Sequence, residues 1–222
     1  MQTVTIGLAT LHLGDCRELL PTLAADAIVS DPPYGIAANT DYTRFKPGGV
    51  ERAQRLVKKR YQPIQGDDQD FDPLPLLRFE AQIIFGANNF AKHLPAGKWI
   101  VWDKRRPDET HFVSQAEIAW CSKGRGVDIF KHCWQGVARA TENSEHYHPT
   151  QKPVALMQWC IEQLGRPAVI CDPYMGSGTT GVAAVTMGLR FIGMEIDPHF
   201  FEVAKMRIED AQRQAQMFAL PS

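Results

Sequence analysis

The hydrophobic positions of this chain fall into short apolar runs and longer amphipathic ones. Short buried-type runs predict strands, and helical spacing in the longer runs predicts helices. The runs that predict strands are "TVTIGLATLHLGD", "DAIVS", "AQIIFG", "KWIVWDK", "AEIAWCS", "DIFKHCW", "AVICDPY" and "RFIGMEID". Those that predict helices are "CRELLPTL", "LPLLRF", "NNFAKHL", "KPVALMQWCIEQLG", "TTGVAAVTMG" and "PHFFEVAKMRIEDAQRQAQ". Strands that alternate with helices predict an α/β fold with a mainly parallel sheet, built as one domain over 1–222.

Two of the predicted helices carry end signals. Pro153 stands in the expected first turn of "KPVALMQWCIEQLG", and Gly165 closes that helix. Asp197 precedes Pro198 at the start of the last helix, where an aspartate side chain caps free backbone N–H groups. These signals fix the helix boundaries to within a few residues.

Composition narrows the class of protein. The 222 residues are 44% hydrophobic, which suits a packed core, and the net charge of −1 leaves any nucleic-acid partner to local patches. Five scattered cysteines predict a reducing compartment, the cytoplasm, rather than a disulfide scaffold. No run reaches membrane-span length, and "MQTVTIGLAT" does not resemble a signal peptide. No metal site is predicted, because Cys121, His132, Cys133, His146 and His148 match no standard zinc spacing.

The stretch "VSDPPYGI" ends a predicted strand with an unusual group of residues. Pro32 and Pro33 cannot continue a sheet ladder, because proline has no N–H. The result is a rigid elbow that places the carboxylate of Asp31 beside the ring of Tyr34. From these residues alone, a reactive site and a plain strand-ending turn are both open interpretations.

A second motif, "CDPYMGSGTTG", follows a strand and opens a helix. Gly176, Gly178 and Gly181 match G-x-G-x-x-G, which lets a ligand approach bare backbone at a helix N-terminus. Glu195 ends the next strand, where an acid can accept hydrogen bonds from ribose hydroxyls. The two features indicate an adenosine-bearing ligand, either a nicotinamide cofactor or S-adenosylmethionine. Asp172 favours the second, since a carboxylate there repels a pyrophosphate and attracts an ammonium group.

Four blocks now resemble one family. "DPPY", "HPTQKPVALM", "DPYMGSGTT" and "GMEIDP" are similar to conserved blocks of the amino-group DNA methyltransferases, which methylate N6 of adenine or N4 of cytosine. Their order resembles the permuted group called beta. The short chain resembles small members of the family from bacterial phages and prophages, which implies a link to restriction-modification systems. Tyr174 stands where the family often has phenylalanine. The resemblance implies the class I S-adenosylmethionine-dependent methyltransferase fold, with a seven-stranded sheet and helices on both faces.

The resemblance also implies roles for single residues. Asp31 and the carbonyl of Pro32 would accept hydrogen bonds from the target amino group. Pro33 would stiffen the elbow, and Tyr34 would stack on a flipped base. Asp15 would accept from the cofactor adenine, unless it only caps the next helix. The other residues implied to bind S-adenosylmethionine are Asp172, Tyr174, Gly176, Ser177, Gly178, Thr179, Glu195 and Thr150 or Lys152.

Contacts with double-stranded DNA are expected from two inserted loops, 36–62 and about 103–147. The first follows Tyr34 and holds seven cations against Asp41 and Glu51. We expect DNA contacts from Arg44, Lys46, Arg52, Arg55, Lys58, Lys59, Arg60, Lys104, Arg105 and Arg106, with Lys123 and Arg125 nearby. A solvated charged face is the alternative. A homodimer is compatible with the sequence, which does not specify the target site.

Three other functions remain open. A cytosine-N4 methyltransferase needs the same geometry, although Asp rather than Ser at position 31 favours adenine. A nicotinamide-dependent oxidoreductase leaves the elbow unexplained. A non-catalytic nucleic-acid-binding module would have had no need for intact Asp31, Tyr34, Gly176, Gly178 and Glu195.

Replacing Lys58, Lys59 and Arg60 with alanine should weaken DNA binding and flatten its salt dependence. Each lost phosphate contact lowers the slope of log affinity against log salt by about 0.9. Filter binding over a salt series measures this slope, and S-adenosylmethionine affinity serves as the control. An unchanged slope would assign the run to a solvated face.

Overall fold

The computed structural model describes residues 1–38, 64–105, 114–135, 138–139 and 151–219. The described strands are β1 (Gln2–Ile6), β2 (Ala9–Leu13), β3 (Ala27–Ser30), β4 (Ala81–Phe85), β5 (Lys98–Asp103), β6 (Ala116–Cys121), β7 (Gly126–Lys131), β8 (Trp134–Gln135), β9 (Ala138–Arg139), β10 (Val169–Asp172) and β11 (Arg190–Glu195). The α-helices are α1 (Cys16–Leu19), α2 (Leu74–Leu77), α3 (Val154–Gln163), α4 (Thr179–Thr186) and α5 (Pro198–Ala219). Every stretch that the sequence assigned to strands overlaps at least one of them.

Nine of these strands form one sheet in the order β1-β2-β11-β10-β3-β4-β6-β5-β7. Five neighbouring strands pair in parallel: β2, β11, β10, β3 and β4. Strand β6 runs antiparallel to both of its neighbours, β4 and β5. The predicted mainly parallel sheet is therefore confirmed. Strand β1 adds a hairpin to β2 at one edge, and β7 pairs in parallel with β5 at the other. These two edge strands extend the expected seven-stranded sheet to nine.

Buried side chains alternate between the two faces of the central strands, as a sheet covered on both sides requires. Val29 and Ile83 belong to the core under α3, α4 and α5, while Ile28 and Ile84 belong to the core under α1 and α2. The predicted helices on both faces are confirmed, with the three longer ones on one face. No described helix is long and apolar enough to cross a membrane.

Chain order reverses between β3 and β10, which lie side by side. From β10 the chain passes through α4 to β11 on one side, whereas β3 is followed by β4 on the other. Open α/β sheets bind ligands in the crevice at such a switch point, beyond the carboxyl ends of the strands. Asp31 directly follows β3, Asp172 ends β10 and Glu195 ends β11. The topology therefore gathers both sequence motifs at one end of the sheet.

Three local predictions differ from the structure. The stretch "NNFAKHL" holds only a single 3-10 turn at Ala91–His93. Pro153 is the cap residue before α3 rather than a member of its first turn. The inserted segment predicted at about 103–147 contains β6 and β7, which belong to the main sheet. The predicted cap of α5 is confirmed, since Asp197 Oδ1 accepts from the backbone N–H groups of His199 and Phe200.

Candidate functional site

A cleft of about 1300 Å³ opens where the parallel strands end. Its walls come from the elbow, the glycine loop, the ends of β10 and β11, and the segment before α3. Residues predicted from the sequence that line it are Asp15, Asp31, Pro32, Pro33, Tyr34, Lys152, Asp172, Tyr174, Gly176, Ser177, Thr179 and Glu195. Thr150 lies outside the described residues. The fold thus brings all the described residues of the predicted catalytic and cofactor set into one cleft, except Gly178, which does not line it.

At the elbow, the side chains of Asp31 and Tyr34 contact each other directly. The Tyr34 hydroxyl donates to Asp31 Oδ1 in a very short hydrogen bond. Burial and the adjacent Asp31 carboxylate raise the pKa of Tyr34 well above its usual value, so the hydroxyl keeps its proton. The ring lies against Gly86, which has a φ of 68° and where any Cβ would overlap the ring. Glycine at the end of β4 therefore makes room for Tyr34.

A buried aspartate fixes the chain that follows the elbow. Asp67 Oδ1 accepts from the backbone N–H groups of Tyr34 at 2.8 Å and Gly35 at 2.9 Å, and more distantly from Ile36. Its Oδ2 accepts from Ala38 N at 2.7 Å. The same loop contains a left-handed residue, Ala37, with a φ of 49°. Because a non-glycine residue in that region is strained, the loop needs the hydrogen bonds that Asp67 provides.

The ammonium group of Lys152 contacts the elbow. Its Nζ is 2.5 Å from Asp31 Oδ2 and 3.0 Å from Glu117 Oε2, and its side chain is only 4% exposed. The sequence predicted that Lys152 or Thr150 meets the cofactor carboxylate. The structure gives the ammonium of Lys152 two carboxylate partners from the protein itself, and its contact with the cofactor carboxylate stays a prediction.

The glycine loop is built around Glu195. Its Oε2 accepts from Gly176 N at 2.9 Å, and its Oε1 accepts from the N–H groups of Ile196 and Asp197. Burial raises the pKa of Glu195, and these three donors oppose that rise. Gly178 has a φ of 78° at the start of α4, and a Cβ there would come within 2.8 Å of the Ala204 Cβ. The turn therefore needs glycine for both its conformation and its packing.

Asp172 is a buried carboxylate at the mouth of this loop. Ser30 Oγ donates to its Oδ1 at 2.6 Å, and Thr180 Oγ1 donates to its Oδ2 at 2.7 Å. Burial raises the pKa of Asp172 to about 6, although those two hydroxyls lower it. At neutral pH the group is mostly ionised, so it presents a negative charge to the cleft.

Two more predicted cofactor residues are held from the last helix. Arg207 Nη1 donates to Ser177 O at 2.6 Å, Ser177 Oγ at 2.9 Å and Thr179 Oγ1 at 3.1 Å. These contacts of Ser177 and Thr179 brace the glycine loop.

The ring of Tyr174 meets that of Phe71 edge to face, with centroids 5.8 Å apart.

Asp15 takes the alternative role that the sequence allowed. It caps α1 by accepting from Arg17 N at 2.9 Å, and its two oxygens also bind the Arg17 guanidinium. The side-chain bond with Arg17 is the main cause that lowers the pKa of Asp15. Its expected contact with the cofactor adenine stays a prediction.

The predicted DNA contacts divide into two groups. The run from Arg44 to Arg60 and Arg106 lie outside the described residues. Lys104 is 13% exposed and pairs with Glu117 at 2.8 Å, so it faces inward. Arg105 is half exposed and pairs with Asp103 at 2.9 Å. Of the described pair, only Arg105 offers an exposed cation.

Sequence reasoning missed three groups that organise the site. Asp67 sits in "GDDQDFDP", where the abrupt change of charge was the available signal. Glu117 is a single carboxylate inside the apolar strand "AEIAWCS", and a buried acid in a strand indicates a partner. Arg207 gave no signal, because a basic residue on an amphipathic helix is ordinary.

Comparisons with known proteins bear on this geometry. A family model described as DNA methylase matches residues 102–206. The methylase YubD of Escherichia coli strain K12 is 28% identical over 222 aligned residues, covering 93% of this chain and 92% of its own. The type II methyltransferase M2.DpnII of Streptococcus pneumoniae is 38% identical over 113 residues. That match spans 50% of this chain and 41% of M2.DpnII.

These matches support an amino DNA methyltransferase, the family that the sequence resembles. Among solved structures, the PvuII DNA methyltransferase, which is named as cytosine-N4-specific, is similar with a TM-score of 0.54. It is 14% identical, and the match covers 95% of this chain and 93% of that one. The likeness confirms the class I methyltransferase fold. The DPPY elbow precedes the glycine loop in this chain, in the permuted order that the sequence indicated. The resemblance to small phage members stays a prediction.

Asp67→Ala should loosen the elbow of this methyltransferase. The change leaves four backbone N–H groups without their acceptor, and we expect a loss of about 1–3 kcal/mol in the free energy of unfolding. Hydrogen exchange at Tyr34, Gly35 and Ala38 should speed up. The matched control is Asp68→Ala, an exposed neighbour, which should change stability by less than about 0.5 kcal/mol. Equal protection in both variants would contradict the assigned clamp.

Proposed function

We propose that this amino DNA methyltransferase transfers a methyl group from S-adenosylmethionine to N6 of adenine in double-stranded DNA, after the base flips out of the helix. The observation that carries the proposal is the position of the Asp31 carboxylate. It lies in the same cleft as the glycine loop, next to Tyr34 and one strand away from Asp172. A carboxylate acceptor and a methyl donor can therefore meet at one amino group.

The residues of the cleft fit S-adenosylmethionine. The volume of about 1300 Å³ accommodates a nucleoside, a methionine moiety and a target base. The ionised Asp172 suits an α-ammonium group. A carboxylate has about four lone-pair sites, and the described contacts of Glu195 use three, which leaves one for a ribose hydroxyl. When bound, S-adenosylmethionine supplies an electrophilic methyl group.

Asp31 and Pro32 address the weakness of the nucleophile. The lone pair of an exocyclic amino group is delocalised into the ring, so the nitrogen must become more tetrahedral before it attacks. Two acceptors on its hydrogens favour that change, and we assign them to the Asp31 carboxylate and the Pro32 carbonyl. The target amino group takes the place of the Tyr34 hydroxyl on Asp31 Oδ1. The rigid Pro32–Pro33 elbow keeps both acceptors in register.

Tyr34 and the basic run serve the DNA. A ring freed from its contact with Asp31 can stack on the flipped base, which returns roughly 1–3 kcal/mol of the unpairing cost. We assign phosphate contacts to the run from Arg44 to Arg60, which follows Tyr34 in the chain. Aspartate at position 31 favours adenine over cytosine as the target.

The direct test is incubation with unmethylated genomic DNA and labelled S-adenosylmethionine, followed by mass spectrometry of the nucleosides. We expect N6-methyladenine. Label in N4-methylcytosine instead would refute the adenine assignment but keep the reaction class. No label in either nucleoside would refute the proposed activity.

Asp31 variants test the mechanism in the same assay. Asp31→Ala should lower methyl transfer by about 10²–10³, because one preorganised electrostatic partner is lost. S-adenosylmethionine and DNA binding should persist. Asp31→Asn keeps the shape and one carbonyl acceptor, so it should retain more activity than Asp31→Ala. Methylation by Asp31→Ala at the wild-type rate would reduce the elbow to a turn.

A second set of variants tests where the cofactor binds. Glu195→Ala removes the ribose acceptor, and Gly176→Val places a branched side chain at a residue with a φ of 51°. Both should weaken S-adenosylmethionine binding in calorimetric titration. Exposed Glu202→Ala, on the outside of α5, is the control and should bind normally. Wild-type affinity in both loop variants would exclude the glycine loop as the binding site.

A further inference from the structure

Lys152 is a cation buried between two carboxylates in the floor of the cleft. Its Nζ lies 2.5 Å from Asp31 Oδ2 and 3.0 Å from Glu117 Oε2, and 5.1 Å from the centroid of the Phe85 ring. Its side chain is 4% exposed, against 18% for Asp31 and 27% for Glu117. The ammonium therefore has little water to replace a partner that it loses.

Glu117 links Lys152 to a further charged group, outside the residues that line the cleft. Its Oε1 accepts from Lys104 Nζ at 2.8 Å. Its Oε2 is fully buried and accepts no hydrogen bond from the residues that the structure describes, so Lys152 at 3.0 Å is its compensating charge. The four groups alternate in sign: Asp31, Lys152, Glu117 and Lys104. They connect the elbow, the segment before α3, β6 and the end of β5.

Such a series is a weak source of stability. Taking charges out of water is costly, and apolar residues of similar volume often stabilise a fold as well or better. The position of the series points to another purpose. Its inner end is the carboxylate on which methyl transfer depends.

The geometry separates the two oxygens of Asp31. Oδ2 accepts from Lys152, whereas Oδ1 accepts from the Tyr34 hydroxyl, and Lys152 Nζ is 3.5 Å from that hydroxyl oxygen. We propose that Lys152 is a positioning residue: it holds Oδ2 of Asp31, leaves Oδ1 as the acceptor for the target amino group, and is itself held by Glu117. This inference rests on the proposed function.

The charges around Asp31 predict in which direction its pKa should shift when one of them is removed. Tyr34 faces Asp31 from the elbow, Lys152 from the segment before α3, Glu117 from β6, Asp172 from β10 and Lys104 lies beyond Glu117. Burial raises the pKa of Asp31, Lys152 lowers it and Glu117 raises it. Burial lowers the pKa of Lys152, but Asp31 and Glu117 more than offset that effect, so Lys152 stays charged. The charge of Lys152 therefore opposes protonation of Asp31, and that of Glu117 promotes it.

The experiment measures the single-turnover rate of methyl transfer against pH in the full-length protein, with DNA and saturating S-adenosylmethionine. The acid limb is the range of low pH over which this rate falls as Asp31 takes up a proton. In Lys152→Met the acid limb should move to higher pH, because Asp31 without its cation needs a higher pH to ionise. In Glu117→Gln the limb should move to lower pH, because an anion near Asp31 is lost. Lys152→Met should also lose roughly 10–10² in rate at neutral pH, as indirect supports of reactive groups do elsewhere. Lys152→Arg should recover part of that rate.

Lys98→Met is the matched control. Lys98 is also a poorly exposed lysine, 17% exposed and 2.7 Å from Asp128, but it lies at the opposite end of β5 from Lys104. Its variant should keep the wild-type rate and pH profile. If Lys152→Met does not fold, Glu117→Gln still decides, since its limb must move to lower pH.

Two outcomes would overturn the inference while the proposed function stands. One is that the wild type is active and that both variants show the same acid limb as the wild type. The other is a loss of S-adenosylmethionine affinity in Lys152→Met that accounts for the whole loss of rate, which would make Lys152 the cofactor ligand that the sequence predicted. An inactive wild type, by contrast, would overturn the proposed function and this inference together.

Discussion

Parallel pairing of β3 with β10 is the constraint on which the candidate site depends. The pairing brings the ends of two strands together at the point where the order of the sheet reverses. Ser30 and Asp172, 142 positions apart in the chain, join there through a hydrogen bond of 2.6 Å. The DPPY elbow and the glycine loop continue from these two strand ends. Without that pairing, the elbow and the glycine loop would have no common cleft.

Buried carboxylates are the electrostatic consequence of this arrangement, and each is satisfied differently. Asp172 relies on two hydroxyls and the backbone N–H of Tyr174, Glu195 on three backbone N–H groups, and Asp31 on a lysine and a tyrosine. Unpaired, each of them would favour the neutral form in so dry a setting. The different partners suit different tasks: neutral donors leave Asp172 negative toward the cleft, whereas the Lys152 cation balances the charge of Asp31.

Backbone conformation in the cleft is held from elements outside the two motifs. Asp67 supplies acceptors for the strained loop after the elbow, Gly86 makes room for the Tyr34 ring, and Arg207 braces Ser177 and Thr179 from the last helix. The proposed mechanism depends on positioned acceptors and tolerates little displacement, so these supports belong to the candidate site as much as the residues that line it. They also link the stability of the fold to the geometry of the reaction.

The sequence alone determined the strands of the main sheet, nearly all the helices and the motifs at the strand ends, because apolar periodicity and turn chemistry are local properties. It placed Asp31, Asp172 and Glu195 at strand ends that a parallel sheet must bring together. Tertiary structure decided which partner each charge has. Lys152 could reach either the cofactor or the elbow, and only the packing of α3 against the sheet set it beside Asp31. Asp15 was open to two roles, and the structure shows it as a helix cap bound to Arg17. Asp67 and Glu117 acquired their roles because contacts between distant segments depend on which strands pair, and a single sequence does not record that.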